Sequence, residues 1–315
     1  MFMEKILLTG SGGQIGQVLL QALAEKFGLH NVHATDIRPI PSWQGPFSIL
    51  NVMDREGLSK LATDFGATQI YHLAAILSAT GEKNPLSTWQ INMDGLLNVF
   101  ETARENNIKK VFYPSSIAVF GEEIDLTEAS QHVPLIPATV YGISKAVGEN
   151  WANYYFHRYG LDIRSLRYPG IIGHQSDPGG GTTDYAVDIY HAAVLKKPFS
   201  CFLAPDTRLP MIYMDDAIRA TLEIMEAPAD KIKVRTSYNL AGMDFSPEEI
   251  AASISKQVPG FQISYAPDHR QAIAASWPQR VNDQEARKDW GWKPQFDLET
   301  MTKDMLHHLS QRLAH

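Results

Sequence analysis

Tyr141 and Lys145 stand four residues apart in Tyr141-Gly142-Ile143-Ser144-Lys145, a spacing that puts both side chains on one face of a helix. Their chemistry is complementary. A phenol titrates near pH 10 and is a poor base at neutrality, but a neighbouring ammonium favours the phenolate and lowers that value. Ser115-Ser116 closes an apolar run and is followed by Val119-Phe120-Gly121, so a serine hydroxyl at that end can orient a substrate oxygen beside Tyr141. Lys145 is long enough to hold a ribose hydroxyl as well. A Tyr-x-x-x-Lys pair also arises by chance on many amphipathic helices, so the surrounding elements must decide what it does.

The upstream element is a phosphate cradle. Ile6, Leu7 and Leu8 form an apolar run that ends in Thr9-Gly10-Ser11-Gly12-Gly13-Gln14-Ile15-Gly16, and Val18, Leu19, Leu20 and Leu23 then repeat with helical spacing. The order is strand, turn, helix. Gly10, Gly13 and Gly16 let the chain reverse tightly and let a pyrophosphate approach the backbone, while the helix opening at Gln14 and Ile15 offers free N–H groups and a positive dipole end. Asp36 closes the next apolar run, Val32–Asp36, roughly 20 residues on, where a carboxylate accepts hydrogen bonds from a ribose diol. Tyr141 and Ser116 therefore follow a dinucleotide-type turn.

From Met3 to Arg167 short apolar runs alternate with amphipathic stretches, the pattern of a parallel sheet covered by helices. Strands are predicted at Lys5–Thr9, Val32–Asp36, Phe47–Asn51, Gln69–Ala74, Lys110–Ser115 and Asp162–Tyr168, with helices at Gln14–Phe27, Arg55–Phe65, Ser87–Asn106 and Val140–Arg158. After Tyr168, the breakers Pro169, Gly170, Gly173, Pro178 and Gly179-Gly180-Gly181 leave the sheet. A lobe boundary is expected there. A helix is predicted near Thr183-Asp184, and Leu209–Tyr213 and Thr236–Ala241 are predicted strands returning to the first lobe around a helix at Asp215–Met225. Ser246-Pro247-Glu248-Glu249 is a capping box that starts a helix to Gln257. The expected division is a dinucleotide-binding domain at 1–170, rejoined by about 209–242, and a substrate lobe at 171–208 and 243–315.

Composition narrows the function classes. The chain has 315 residues, 44% of them hydrophobic and 20% charged, as expected of a globular protein with a full core. A formal charge of -7 and a pI near 5.9 argue against nucleic acid or an anionic membrane surface as partner. No basic leader and no run of 18 apolar residues is present in the sequence, so a cytoplasmic protein is expected. The single cysteine, Cys201, lies between Phe199 and Phe202 and reads as a buried strand position. The 11 histidines include His72 and His307-His308, but no set shows metal-ligand spacing along the chain, and no metal is expected. Trp290 and Trp292 beside Pro294 read as an aromatic turn packing the second lobe.

Gly10, Gly13 and Gly16, Asp36, His72-Leu73-Ala74-Ala75, Asn92, Ser115-Ser116 with Val119-Phe120-Gly121, Tyr141 with Lys145, and Arg167-Tyr168-Pro169 together resemble the extended short-chain dehydrogenase/reductase family. That family includes NAD-dependent sugar epimerases and dehydratases, and the resemblance runs along essentially the whole chain. It implies an α/β fold, a Rossmann-type doubly wound parallel sheet with a smaller mixed α/β substrate lobe. It also implies NAD as cofactor, held by Gly10, Gly13, Gln14, Ile15, Asp36, Leu73, Ala74, Ala75, Asn92, Tyr141, Lys145 and Tyr168. By the same resemblance Ser116 and Tyr141 are catalytic, and Lys145 supports Tyr141 and holds the nicotinamide ribose. Asp36 would meet a 2′-phosphate with like charge, which favours NAD over NADP despite Arg38. The family suggests a homodimer through the helices Ser87–Asn106 and Val140–Arg158, whose Leu96, Leu97, Phe100, Trp151, Tyr154 and Tyr155 exceed what one sheet face needs.

Within the family, Arg167–Ile172 followed by Gly179–Val187 is similar to the short-chain type of L-threonine 3-dehydrogenase. That implies hydride transfer from a secondary alcohol to NAD, giving 2-amino-3-oxobutanoate from threonine. Nucleotide-sugar members usually carry asparagine where this chain has Gly170, so an epimerase or dehydratase is the second expectation. A non-catalytic NAD-sensing regulator is a third, although such proteins typically lose the tyrosine or the lysine. An amino-acid substrate needs partners for a carboxylate and an ammonium. Ser78, Thr182 and Thr183 suit the carboxylate, Asp184 suits the ammonium or caps a helix, and Trp277 either covers the substrate methyl or fills core. Gly179-Gly180-Gly181 offers the backbone freedom of a closing segment.

Overall fold

The structure is a computed structural model and describes residues 4–175, 177 and 181–313. The described strands are β1 (Ile6–Thr9), β2 (Val32–Asp36), β3 (Phe47–Ile49), β4 (Gln69–His72), β5 (Lys110–Ser116), β6 (Asp162–Tyr168), β7 (Gly170–Ile172), β8 (Phe199–Cys201), β9 (Leu209–Tyr213), β10 (Tyr238–Asn239), β11 (Met243–Phe245) and β12 (Ile263–Tyr265). The described helices are α1 (Gln14–Phe27), α2 (Arg55–Phe65), α3 (Ser78–Gly81), α4 (Pro85–Glu105), α5 (Val140–Tyr159), α6 (Tyr185–Val194), α7 (Met214–Glu226), α8 (Pro247–Gln257), α9 (Arg270–Ala275), α10 (Gln284–Trp290) and α11 (Leu298–Leu313). Two compact units divide the chain. The first holds residues 1–116, 137–167 and 220–238, and the second holds 117–136, 168–219 and 239–315.

The large sheet runs β10-β6-β5-β4-β1-β2-β3, so the strand order reverses between β1 and β4, the place where doubly wound sheets bind ligands. Parallel register aligns the carboxyl ends. Thr9 of β1 stands level with Thr35 of β2 and with His72 of β4, so Gly10, Asp36 and Leu73 emerge side by side at one edge. β1 and β4 are buried throughout, as expected of parallel strands covered on both faces. One core cluster joins Leu7, Ile70 and Val111 of the sheet to Leu58 of α2, Leu96 and Phe100 of α4, and Tyr155 of α5. Burying each of these side chains contributes about 1.5–3 kcal/mol.

Helix ends follow sequence chemistry. Asp54 accepts from the Gly57 N–H at 2.9 Å to start α2, and Thr139 Oγ1 accepts from the Gly142 N–H at 3.0 Å to start α5. Such a cap is worth about 1 kcal/mol. In the second unit the predicted capping box forms in both directions at Ser246 and Glu249. There β9 pairs parallel with β7 and antiparallel with β11, and β8 pairs parallel with β12. Tyr190 of α6, Ser253 of α8 and Thr302 of α11 share hydrogen bonds of 2.8 and 2.9 Å, which tie three helices together.

Several expectations need correction. Leu209–Tyr213 forms the predicted strand but joins β7 and β11 in the second unit instead of returning to the first. A fully buried apolar strand looks the same from either sheet, so its pattern does not name its partner. Residues 117–136, read with the first lobe, belong to the second unit, and the first unit is rejoined at 220–238 instead of 209–242. Leu96, Phe100 and Tyr155 lie in the core, with Leu97 and Trp151 packed against it, so most of the apolar surplus ascribed to a dimer is consumed where α4 meets α5. Tyr154 remains 46% exposed. Cys201 is buried on β8, and Trp292 is buried with its indole N–H donating to the Ala241 carbonyl at 3.0 Å. No helix among the described residues is long and apolar enough to cross a membrane.

Candidate active site

The turn after β1 is shaped by its glycines. Gly10 has a φ of +70°, and a Cβ there would stand 2.4 Å from the Ala74 nitrogen, so both backbone conformation and space exclude a side chain. A Cβ on Gly16 would stand 2.4 Å from the Gly10 carbonyl, so α1 rests directly on the turn. Gly13 differs. Its imagined Cβ meets only the Gly10 oxygen, at 3.4 Å, and it sits at the N-cap of α1 without a side-chain cap and with no acidic residue in the first turn. The opening amides at Gln14 and Ile15 therefore face an anion-ready approach, which fits a pyrophosphate.

Asp36 completes this cradle. Its Oδ2 accepts from the Gly12 N–H at 2.9 Å and its Oδ1 from the Arg38 N–H at 3.2 Å, so the carboxylate is fixed at the edge where a ribose diol would meet it. Leu73, Ala74 and Ala75 follow β4 and are half-buried. Asn92 braces the segment after them. Its Oδ1 accepts from the Ile76 N–H at 2.8 Å, while its Nδ2 donates to the Ile76 carbonyl at 3.0 Å and to Ser144 Oγ at 3.2 Å. Asn92 thus reaches the cofactor segment through the backbone of Ile76. Beneath, His72 Nδ1 and Thr9 Oγ1 share a 2.8 Å hydrogen bond, and burial, with Lys145 as the second cause, pushes the imidazole down to about 3.

The end of β5 and one face of α5 bring the predicted catalytic residues together. Tyr141 hydrogen-bonds the Ser116 side chain. Ser115, its neighbour in sequence, points elsewhere and donates to Glu149 Oε1 at 2.6 Å. Alternation along the strand separates the pair, so only Ser116 serves Tyr141. Lys145 is buried, donates to the Pro114 carbonyl at 2.7 Å, and lies 4.7 Å from the Tyr113 ring centroid and 5.6 Å from that of Tyr141. Close approach of α5 to β5 is enforced at Gly148, where a Cβ would stand 2.3 Å from the Tyr113 hydroxyl.

The electrostatics depart from expectation. Burial raises Tyr141 to about 12, and its hydrogen bond with Ser116 is the effect that lowers it. Burial also pushes Lys145 down to about 7, with Glu149 pulling it back up. The ammonium faces the ring of Tyr141 and the Pro114 carbonyl, so desolvation outweighs its help to the phenolate. Glu149 itself is fully buried and is gripped by Arg167 through Nε at 2.9 Å and Nη2 at 2.7 Å.

Glu149 is a functional candidate that motif reading missed, and Arg167, quoted only as part of Arg167-Tyr168-Pro169, was given no role. The signal was present, because Glu149 follows Lys145 by the same four residues that separate Lys145 from Tyr141.

The second unit carries the remaining candidates. Tyr168 and Thr182 are buried and Thr183 is half-buried. A Cβ on Gly170 would stand 2.7 Å from Thr183 Cγ2 and 2.4 Å from the Met211 sulfur, so an asparagine there would have to displace the threonine. Asp184 holds the N-cap position of α6 without a side-chain cap bond, and its Oδ2 instead accepts from the Gly181 N–H at 2.8 Å. The helix starts at Tyr185, one residue past Asp184. Trp277 is buried. Ser78, in the first unit, opens the short α3 and is half-buried. Gly179 and Gly180, the proposed closing segment, lie outside the described residues.

A dinucleotide cradle and a Tyr-Lys-Ser group with a buried lysine on one doubly wound sheet define a pyridine-nucleotide enzyme class. The model of the NAD dependent epimerase/dehydratase family matches residues 6–241. The chain belongs to that family, and NAD is its cofactor. An uncharacterized epimerase/dehydratase of Staphylococcus haemolyticus is 46% identical over 98% of this chain and 99% of that protein. Among solved structures, a partial consensus L-threonine 3-dehydrogenase is similar at 55% identity and a TM-score of 0.95, with 98% of this chain and 99% of that one covered. The holo form of an L-threonine dehydrogenase from Cupriavidus necator is similar at 54% identity and a TM-score of 0.95, covering 97% and 99%.

Proposed function

We propose that this protein oxidises the β-hydroxyl of L-threonine to 2-amino-3-oxobutanoate with NAD. The observation that carries the reading is the Tyr141–Ser116 hydrogen bond at the end of β5, with buried Lys145 one turn further along α5. Whole-chain similarity to L-threonine dehydrogenases supplies the substrate. NAD supplies the hydride acceptor for the Cβ hydrogen. Tyr141 Oη takes the hydroxyl proton, Ser116 fixes the hydroxyl oxygen, and Lys145 supplies a positive charge near the alkoxide as it develops. Because burial holds Tyr141 near 12 and Lys145 near 7, phenolate beside ammonium is scarce at neutrality, and turnover rises with pH only until Lys145 loses its proton.

Leu73, Ala74, Ala75 and Tyr168 are assigned to the cofactor, and Asn92 positions the segment through Ile76. Ser78, Thr182 and Thr183 are assigned to the substrate carboxylate, Asp184 to its ammonium and Trp277 to its methyl. The assignment includes a homodimer through α4 and α5, for which Leu86, Trp89 and Tyr154 are exposed apolar residues on those helices. Gly170 speaks against a nucleotide-sugar epimerase, because the space an asparagine needs is taken by Thr183 and Met211. The decisive assay is NADH release. One NADH per threonine consumed is expected; no NADH from threonine, together with interconversion of UDP-sugars without net NADH, would replace the dehydrogenase by an epimerase.

A further inference from the structure

We propose that His174, Asp304 and His308 form a binding site for a zinc-class divalent cation in the second unit. Asp304 and His308 are four residues apart on α11 and so share one helix face. His174, two residues past β7, meets that face. One potential ligand atom from each of the three lies within 4.8 Å of the others, and all three side chains are half-buried.

The distances suit a shared ion better than a direct bond. His308 Nε2 stands 3.6 Å from Asp304 Oδ1, which exceeds hydrogen-bond length. Two ligands each about 2.1 Å from a tetrahedral ion are separated by roughly 3.4 Å. The His174 and His308 rings stack with centroids 4.1 Å apart and planes 11° apart, so their in-plane nitrogen lone pairs run side by side, and sharing one ion requires one imidazole to turn out of the stack. Tyr213 Oη donates to Asp304 Oδ2 at 2.5 Å, an outer-shell bond of the kind that orients a carboxylate for a metal.

Two imidazoles and one carboxylate are a zinc-type donor set, whereas calcium and magnesium seek all-oxygen shells. Asp215, held by Gln175 at 3.4 Å, adds a second carboxylate beside Asp304, while the opposing Arg312, which donates to the His174 carbonyl at 2.8 Å, is paired with Asp177 at 2.5 Å, so the local charge favours a cation. None of the three ligands belongs to the Tyr141 group. An ion here would tie α11 to the segment after β7, and its binding energy would appear as stability of the second unit.

The test is calorimetric titration of untagged, chelator-treated full-length protein with zinc chloride, with magnesium chloride as comparison. One zinc equivalent bound at low micromolar or tighter affinity is expected, with no magnesium binding. His308→Ala and Asp304→Asn should each weaken zinc at least ~10-fold, as loss of one of three ligands demands. His307→Ala should not, since His307 Nε2 is engaged with Gln311 at 3.0 Å. Zinc should raise the melting temperature of the parent and of His307→Ala but not of His308→Ala, with circular dichroism confirming that each variant is folded. No zinc bound at about 100 μM, equal affinity in His308→Ala, or an equal loss in His307→Ala would each overturn the site.

Discussion

The Tyr141 face of α5 and the Gly181–Asp184 turn before α6 answer different demands. On the first, polar groups are locked onto one another: Ser115 and Arg167 on buried Glu149, Lys145 on the Pro114 carbonyl, Ser116 on half-buried Tyr141. On the second, Thr183 is half-buried and the Asp184 carboxylate closes a turn on the Gly181 N–H. The geometry proposed for proton transfer is thus fixed by mutual hydrogen bonds, which tolerate little displacement. Substrate choice is assigned to a turn, where a changed side chain disturbs few neighbours.

The sharpest way to break the contrast is Tyr141→Phe. Removing the ionisable oxygen while keeping the ring should lower turnover by roughly 10²–10⁴, while NAD binding persists in calorimetry. A near-normal rate would move the base elsewhere. In the parent enzyme, the logarithm of the rate should climb with a slope near one below about pH 7, where Lys145 keeps its charge and Tyr141, near 12, is still protonated, and should level above it as Lys145 loses its proton. A flat profile on the acid side would mean that the phenol is already ionised when substrate binds.

Next in size is Arg167→Met. It leaves the Glu149 charge buried and unpaired, which costs about 3–5 kcal/mol and should show as a lower midpoint in urea denaturation. If the loss were below about 1 kcal/mol, the locked-face picture would fail.

On the softer side, Asp184→Asn should raise the Michaelis constant for threonine at least ~10-fold, the scale of a lost charge-assisted bond, and leave that for NAD alone. A fall in melting temperature with both constants unchanged would make Asp184 a turn residue only.

The smallest effect is a stability slope from His72. Its folded value, near 3, lies below the ordinary value of 6.5, so between those limits the unfolded chain binds the extra proton and stability rises with pH. The slope from this group is at most about 1.4 kcal/mol per pH unit. His72→Asn should flatten urea-midpoint measurements between about pH 4 and 6; an unchanged slope would assign it to other groups.

Most of the first unit was legible in the sequence, because periodicity and caps act locally. α1 and α2 begin and end where predicted, as does the capped helix α8. Partner choice was not legible. β9 has the predicted bounds but a different sheet, since five buried apolar residues fit either one. Of the site, the glycine turn, Asp36 and the Ser116–Tyr141–Lys145 group could be read, since each carries its chemistry in a short spacing. The high value of Tyr141 could not, because desolvation depends on everything packed around the ring. Glu149 looked like one more charge on a helix until Arg167 arrived from β6. Likewise His174 meets Asp304 and His308 only through folding, so no linear spacing announces that cluster.

Gly170 carries one more consequence. Its missing side chain and the Thr183 methyl occupy the same space, so the two positions form a steric couple although they belong to different segments. A relative that gains bulk at 170 must give up bulk at 183 or re-route the turn before α6. Covariation of this couple across aligned relatives is therefore a fingerprint for sorting family members by what they admit, readable before any activity is measured.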